Sequence, residues 1–309
     1  VIAIVVAYKN GSELAECCQG LADLGDVDRV IIVDNSHGVA GSCIDASGLV
    51  LGPKMIHAIP PSNLGFAGGN NFGIELARDL NAERVLICNP DVIVGPDTLS
   101  GLLREMDSRS LDLISPYMRE VDGDNYPVDL MWPGWDFWLG RGVLDISSAS
   151  RIRRYSPTFY GACFVIRVDL LDDIGGLSED FFLYAEELDF CRRIDDSGGR
   201  WSVSKEYGVF HARGSSISPT GGPRKSLTSL HHSSRSAVIV GRKYWPLAAL
   251  WWTVVRFGWA VQFLLKGNHL GFRAVILGVI SGWRAPLTAG SAKATRSSIT
   301  TALRQLFRR

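Results

Sequence analysis

Apolar residues at the start of this chain come in short unbroken runs rather than in alternation with polar ones. Residues 1–7 form the first run, stopped by the turn signal Tyr8-Lys9-Asn10-Gly11. Residues 29–33 form the second and give way to Asp34-Asn35-Ser36. Residues 55–59 are halted by Pro60-Pro61, and residues 84–88 end at Asn89-Pro90-Asp91. Helices are predicted between the runs. One starts at a Ser12 cap and continues to about Leu24, one covers residues 67–80 behind a Gly-rich approach, and one carries Pro96 in its first turn. Strands apolar on both faces, alternating with helices, predict an α/β fold with a doubly covered, mostly parallel sheet. Ligands of such sheets bind beyond the carboxyl ends of the strands, and Asp34, Asn63 and Asp91 stand at those ends.

The pattern loosens over residues 117–155, where Trp132-Pro133-Gly134-Trp135-Asp136-Phe137-Trp138 reads as an insertion beside the cleft. Residues 162–167, 201–204 and 208–211 are predicted strands, and residues 186–196 a helix. Residues 215–226 are rich in Ser, Gly and Pro and are expected to be mobile. The remainder reads as helix. Two units follow: an α/β domain over residues 1–225 and a basic, apolar, helical region over residues 226–309.

Composition supports a globular chain, with 46% hydrophobic and 21% charged residues among 309. The net charge of zero conceals a division. Glu206 is the last acidic residue, and the 15 Lys and Arg from Tyr207 onward have no acidic counterpart. Such a basic region suits an anionic partner, nucleic acid or anionic lipid. Its apolar and Trp-rich stretches point to lipid and away from nucleic acid. Residues 244–265 would extend roughly 33 Å as a helix, the thickness of a bilayer core. Arg256 near the middle would cost about 2.5–3.5 kcal/mol in a span. An interfacial or re-entrant helix with Arg256 snorkelling to headgroups is therefore expected. A second apolar piece, residues 270–283, is flanked by Arg273 and Arg284. The alternative is a buried helical hairpin packed on the α/β domain. The six cysteines include no C-x-x-C pair and read as buried free thiols in a reducing compartment, not zinc ligands. The opening run is too short for a secretory signal and reads as a first strand.

Several polar residues could carry chemistry. Asp34 could accept hydrogen bonds from a nucleobase or ribose, or from its own turn. The 63–73 segment holds Gly65, Gly68, Gly69 and Gly73, which permit close backbone approach to a ligand but lack the dinucleotide spacing. Tight local packing is the better account of Gly69 and Gly73. Asp91 could hold a divalent cation or simply close an Asn-Pro-Asp turn. Glu186, Glu187 and Asp189 at a helix start could complement its dipole, or could supply a general base raised in pKa by burial and like charge. His211 follows the apolar pair Val209-Phe210, and a lone His there is more often structural. His231, His232 and Arg235 are expected on a solvated basic face.

Taken in order, Val33-Asp34-Asn35-Ser36, Asn63-Leu64-Gly65-Phe66-Ala67-Gly68-Gly69-Asn70, Asn89-Pro90-Asp91-Val92, Phe181-Phe182-Leu183-Tyr184-Ala185-Glu186-Glu187-Leu188-Asp189 and His211 resemble the motif series of glycosyltransferase family 2. The likeness is to bacterial rhamnosyltransferase-like members and covers residues 1 to about 243. It implies a GT-A-type catalytic domain over residues 1–225, with the helical region as a membrane-associating extension. It further implies a nucleotide-sugar donor bound by Asp34, Asn63, Gly68, Asn89 and Asp91. Asp91 and His211 would hold Mg²⁺ or Mn²⁺. The family usually has Asp-x-Asp where this chain has Asn89-Pro90-Asp91, so one metal-binding charge is absent. The family's Glu-Asp-x-Asp maps its base onto Glu187, with Glu186 as rival. The implied reaction is an inverting transfer of a sugar, with dTDP-rhamnose suggested only by likeness, to a lipid-linked or cell-envelope saccharide. Its place would be the cytoplasmic face of the cell membrane, against an anionic surface. A nucleotidyltransferase would need a longer Gly-rich, basic phosphate loop than Tyr8-Lys9-Asn10-Gly11. A non-catalytic glycan- or nucleotide-binding module is the other rival.

Overall fold

The four N-terminal apolar runs become neighbouring strands: β1 (Ile2–Ala7), β2 (Arg29–Asp34), β3 (Met55–Ala58) and β4 (Arg84–Cys88). The computed structural model describes residues 1–36, 42–121, 127–147, 154–211 and 226–287. These four strands pair in parallel in the order β3-β2-β1-β4. Val30 to Val33 are fully buried, as strands covered on both faces require. The connecting helices are α1 (Ser12–Asp23), the short α2 (Cys43–Ser47), α3 (Gly65–Asp79) and α4 (Pro96–Ser108). Helix α3 lies hard against β1. A Cβ at Gly69 would sit 2.8 Å from a Val6 methyl, and one at Gly73 would overlap Ile4. These two glycines serve packing, as expected.

Beyond β4 the sheet becomes mixed. Strands β5 (Val92–Ile93), β6 (Leu113–Val121), β7 (Pro127–Leu130), β11 (Cys163–Arg167) and β12 (Trp201–His211) complete the order β3-β2-β1-β4-β11-β6-β12-β5, with β7 on β6. Strand β11 runs antiparallel to both β4 and β6. That direction brings its leading residues, Gly161 and Ala162, to the edge where Asn89 leaves β4. The Asn89 amide donates to the Ala162 carbonyl at 2.8 Å. The two predicted strands over 201–211 are one strand, irregular between Val203 and Gly208. Its end pairs His211 with Val92.

The Trp-rich insertion folds as a small antiparallel sheet, β8 (Gly134–Asp136), β9 (Arg141–Val143) and β10 (Tyr155–Pro157), in the order β10-β8-β9. Helix α5 (Val168–Ile174) follows β11, and α6 (Glu186–Ser197) precedes β12. All six cysteines are free and buried. Of the segment expected to be mobile, residues 215–225 lie outside the described residues, and Ser226 caps α7 by accepting from the Ser229 amide.

Helices α7 (Leu227–Tyr244), α8 (Pro246–Leu265) and α9 (His269–Arg284) pack on one another. Helix α8 turns Ala249, Trp252, Arg256 and Ala260 inward, one face at helical spacing. Trp252 lies among Trp135, Phe137 and Trp245 and donates from its indole to the Phe137 carbonyl at 2.6 Å. Gly140, at φ 59°, leaves room for the Trp252 ring. The expectation that Arg256 snorkels outward is corrected here. It is 1% exposed and donates to the Leu139 carbonyl at 3.0 Å and to the Gly140 carbonyl. Among the described residues nothing covers the opposite face of α8, with Leu247 84% exposed and Leu250, Val254, Phe257 and Leu265 also exposed.

Candidate functional site

Asp34 ends β2 and is 2% exposed. It accepts from the Ser36 amide at 2.9 Å, the Cys43 amide at 2.9 Å and the Ser42 hydroxyl at 3.1 Å. Burial pushes its carboxyl up, but these donors outweigh burial and hold it below the ordinary value. His57 Nε2 lies 3.4 Å away. Of the two roles foreseen for Asp34, the turn-closing one therefore has its bonds in place. Asn35, which sequence reasoning passed over, spans from β2 to the glycine loop. Its amide donates to the Gly65 carbonyl at 2.9 Å and its oxygen faces the Leu64 amide at 3.4 Å.

Asn63 accepts from the Gly65 amide at 2.9 Å, shaping the loop into an Asx turn. Gly65 sits at φ 70°, where a Cβ would strike Phe182. A Cβ on Gly68 would lie 2.8 Å from Leu64 Cβ, so the loop's own packing already requires glycine there.

Asp91 and His211 meet where β5 pairs with β12, with Asp91 Oδ1 3.5 Å from His211 Nε2. The other ring nitrogen faces Glu120 Oε1 at 3.2 Å. Burial pulls the His211 pKa down, yet the two flanking carboxylates hold it at about 9. Glu120 was not foreseen: it lies on β6, remote in sequence, and only the β6–β12 pairing brings it near. A carboxylate oxygen and an imidazole nitrogen this close can converge on one divalent ion. Among the described residues no third His, Cys, Asp or Glu completes a metal cage. An ion such as Mg²⁺ usually takes one or two protein ligands beside substrate phosphates and water, so the pair fits a cation completed by a diphosphate. Asn89, half-buried and adjacent, adds no charge.

The acidic cluster opens α6 behind a strained turn. Tyr184 and Ala185 have φ of 72° and 70°, left-handed values that cost about 1–3 kcal/mol each for residues with side chains. The turn is held from several sides. The Phe66 amide donates to the Phe182 carbonyl at 3.2 Å, Ser236 to the Leu183 carbonyl at 2.8 Å, and Arg235 to the Asp180 carbonyl at 2.7 Å. Arg235, expected on a solvated face, is thus half-buried and structural. His232 stacks on Phe182, and burial with its cationic neighbours lowers its pKa to about 4. His231 is half-buried beside it.

Within the cluster the three acids differ. Asp189 is fully buried and engaged by Lys243, by Arg193 at 2.8 Å and by the Tyr244 hydroxyl at 2.7 Å, which pins α6 to α7. Glu186 is 2% exposed, with Oε1 unpartnered among the described residues. Burial, then the Glu187 charge, raises its pKa. Glu187 reaches a cavity of about 440 Å³, and burial raises its pKa as well. Its carboxylate stands where a Cβ on Gly161 would be. The cavity is walled by the small insertion sheet, by Tyr160-Gly161, by the Ser229, Ser233 and Ser236 face of α7, and by Arg256.

Hydrogen bonds link the segments that carry the expected residues without gathering those residues round one hollow. Asp91 touches His211, Asn89 bonds Ala162 beside Gly161 and Glu187, and Asn35 joins Asp34 to the glycine loop, which bonds the turn before Glu186. Asp34, Asn63, Asp91 and His211 do not line the Glu187 cavity. The site has two compartments.

A mixed sheet with polar residues at its strand ends and a helical flank defines a GT-A-type protein. Solved structures of similar architecture include the TarS 1-349 fragment of S. aureus in complex with UDP-GlcNAc, with TM-score 0.54 and 16% identity over 90% of this chain and 81% of that one. GalNAc-T7 with UDP, GalNAc and Mn²⁺ aligns with TM-score 0.60 and 13% identity over 97% of this chain and 54% of that one. Residues 85–297 match the family described as "Glycosyl transferase family group 2", and the chain belongs to that family. It is 29% identical over 197 residues to the low-salt glycan biosynthesis hexosyltransferase Agl10 of Haloferax volcanii, covering 62% of this chain and 60% of that protein. It is 27% identical over 221 residues to an N-acetylglucosaminyl-diphospho-decaprenol L-rhamnosyltransferase of Mycobacterium tuberculosis, covering 62% of this chain and 69% of that protein.

Proposed function

We propose that this chain is an inverting glycosyltransferase that moves a sugar from a nucleotide-sugar to a lipid-linked or cell-envelope saccharide at the cytoplasmic face of a membrane. One observation carries the reading. Across the Asn89–Ala162 hydrogen bond, a carboxyl of raised pKa faces a cavity on one side, and a carboxylate–imidazole pair stands on the other. In this scheme Glu187 takes the proton of the acceptor hydroxyl. The freed oxygen bonds to the anomeric carbon as the bond to the diphosphate breaks, and the configuration inverts. Asp91 and His211 would hold Mg²⁺ or Mn²⁺, whose charge favours departure of the diphosphate. Glu120 orients His211, and Asn89 and the glycine loop flank the nucleotide. Glu186 lies buried beside it, and after burial it is the Glu187 charge that raises the Glu186 pKa.

The sugar we assign is L-rhamnose, supported by the name of the mycobacterial relative, and the dTDP-linked donor rests on the family resemblance alone. The same name supports an acceptor on a polyprenyl diphosphate. The uncovered apolar face of α8, with Lys266, Arg273 and Arg284 exposed beside it, supports an interfacial seat on anionic lipid. The test is transfer from a panel of dTDP- and UDP-sugars to polyprenyl-diphospho-N-acetylglucosamine, with and without Mg²⁺ or Mn²⁺. Glu187→Ala and Asp91→Ala should abolish product while the thermal melt is kept. Normal turnover in either variant rejects its assigned role.

A further inference from the structure

Arg256 is a cation buried without a counter-ion among the described residues. The chain carries no acid after Glu206, so α7, α8 and α9 offer none. Asp136, on the neighbouring sheet, is taken by Arg154 at 2.7 Å. Among the described residues no carboxylate forms an ion pair with Arg256, and its Nε has no partner. Its other nitrogens bond two carbonyls, and its guanidinium lies 4.3 Å from the Trp259 ring centroid. Arg141, exposed on β9, approaches the same ring at 6.0 Å. Burial, with Arg141 adding like charge, lowers the Arg256 pKa to about 9. Both arginines line the cavity that holds Glu187, and Glu187 is the one carboxylate among its described lining residues. A desolvated guanidinium left this way calls for an anion, and phosphate oxygens match its planar fork.

We propose that Arg256, with Arg141 at the rim, binds a phosphate of the acceptor's lipid diphosphate inside the Glu187 cavity. This inference rests on the glycosyl-transfer reading for the identity of the acceptor. The donor diphosphate is excluded as occupant by position, because Asp91 and His211 stand outside this cavity. The lipid is favoured because Arg256 projects from the inner face of α8, whose outer face is the uncovered apolar one. A prenyl chain could lie along that helix while its diphosphate reached inward.

The test uses the full chain and farnesyl diphosphate, titrated calorimetrically with saturating dTDP and Mg²⁺ present to occupy the nucleotide compartment. Wild type should bind it. Arg256→Gln should weaken binding at least tenfold, Arg256→Lys should restore part of it, and Arg141→Gln should weaken it about threefold, all with unchanged dTDP affinity. Farnesol should bind far more weakly than its diphosphate. Unchanged binding in Arg256→Gln, or equal binding of farnesol, overturns the site. Inorganic pyrophosphate separates the two phosphate sources: competition as strong as that of the prenyl ester would overturn the lipid assignment. Should Arg256→Gln fail to fold, as loss of dTDP binding would reveal, the exposed Arg141→Gln decides, and wild-type affinity there overturns the proposal. The transfer reaction is read separately. An inactive chain that still binds farnesyl diphosphate through Arg256 rejects glycosyl transfer and leaves the site standing. An active chain whose Arg256→Gln variant binds normally rejects the site alone.

Discussion

The Glu187 carboxylate occupies the space that a Cβ on Gly161 would fill. Gly161 immediately precedes the residue whose carbonyl receives the Asn89 amide, so Glu187, the proposed base, is seated on the junction between the two compartments. The seat needs a missing side chain rather than a special backbone angle, since Gly161 does not belong to the positive-φ glycines.

Gly161→Ala is therefore a displacement experiment. The added methyl meets the far end of a flexible side chain, which can swing away, so stability should change by less than about 1 kcal/mol. Glu187 would move by about an ångström, and if it is the base as proposed, misplacement on that scale costs on the order of 100-fold in rate. Steady-state kinetics beside a thermal melt checks this. A wild-type kcat in Gly161→Ala would show that the position of Glu187 is immaterial.

Asp189 predicts an acid-sensitive anchor. Burial raises its carboxyl, but Arg193, Lys243 and Tyr244 outweigh burial and hold it below the ordinary carboxylate range. A carboxyl depressed in the folded state stabilises fully above its unfolded pKa, near 3.9, and that stability disappears as pH falls through the lower folded value. Asp189→Asn should lose about 3–5 kcal/mol at pH 7, because it leaves the Arg193 charge unpaired and Lys243 with only the more distant Asp180 carboxylate at 3.8 Å. Its melting temperature should fall less steeply than that of wild type below pH 4. Parallel curves for the two proteins would exclude the anchor.

Much of this was legible in the chain. The four apolar runs became β1 to β4, and the polar residues closing them stand at one sheet edge, because run length and turn residues are local information. Asp91 and His211 could be paired through a family pattern alone. Glu120 could not, since its place against His211 depends on which strands become neighbours. The antiparallel course of β11 was hidden for the same reason: an apolar run carries no direction. Arg256 was misread because a charge in an apolar stretch looks the same whether it faces lipid headgroups or the carbonyls of Leu139 and Gly140, more than a hundred residues earlier.

Glu120 should matter to metal affinity without touching the metal. A carboxylate on the far nitrogen of a ligating imidazole fixes ring orientation and tautomer, and its loss costs 10–100-fold in affinity in comparable sites, an order-of-magnitude guide. Glu120→Ala should weaken Mn²⁺ binding by about that factor in the presence of dTDP. Glu120→Gln, which keeps an acceptor oxygen, should lie between it and wild type. Mn²⁺ titration followed by electron paramagnetic resonance reads this directly. Equal affinity in all three proteins would remove Glu120 from the site.

The two faces of α8 give opposite predictions. Trp252 on the inner face packs against Trp135, Phe137 and Trp245, and truncation of so large a buried ring costs about 3–5 kcal/mol. Leu250 and Phe257 on the outer face are exposed, so charging them should leave stability within about 0.5 kcal/mol. Insertion into lipid would reverse that ranking for membrane binding. A Leu250→Asp, Phe257→Asp double variant should fail to float with vesicles of phosphatidylethanolamine and phosphatidylglycerol, whereas the wild type floats and resists release by salt. Screening by salt removes attraction between charges on the protein and headgroups but not burial of apolar surface. Complete release of the wild type at high salt would therefore mean that the helix touches the membrane through Lys266, Arg273 and Arg284 alone, with the apolar face left in water.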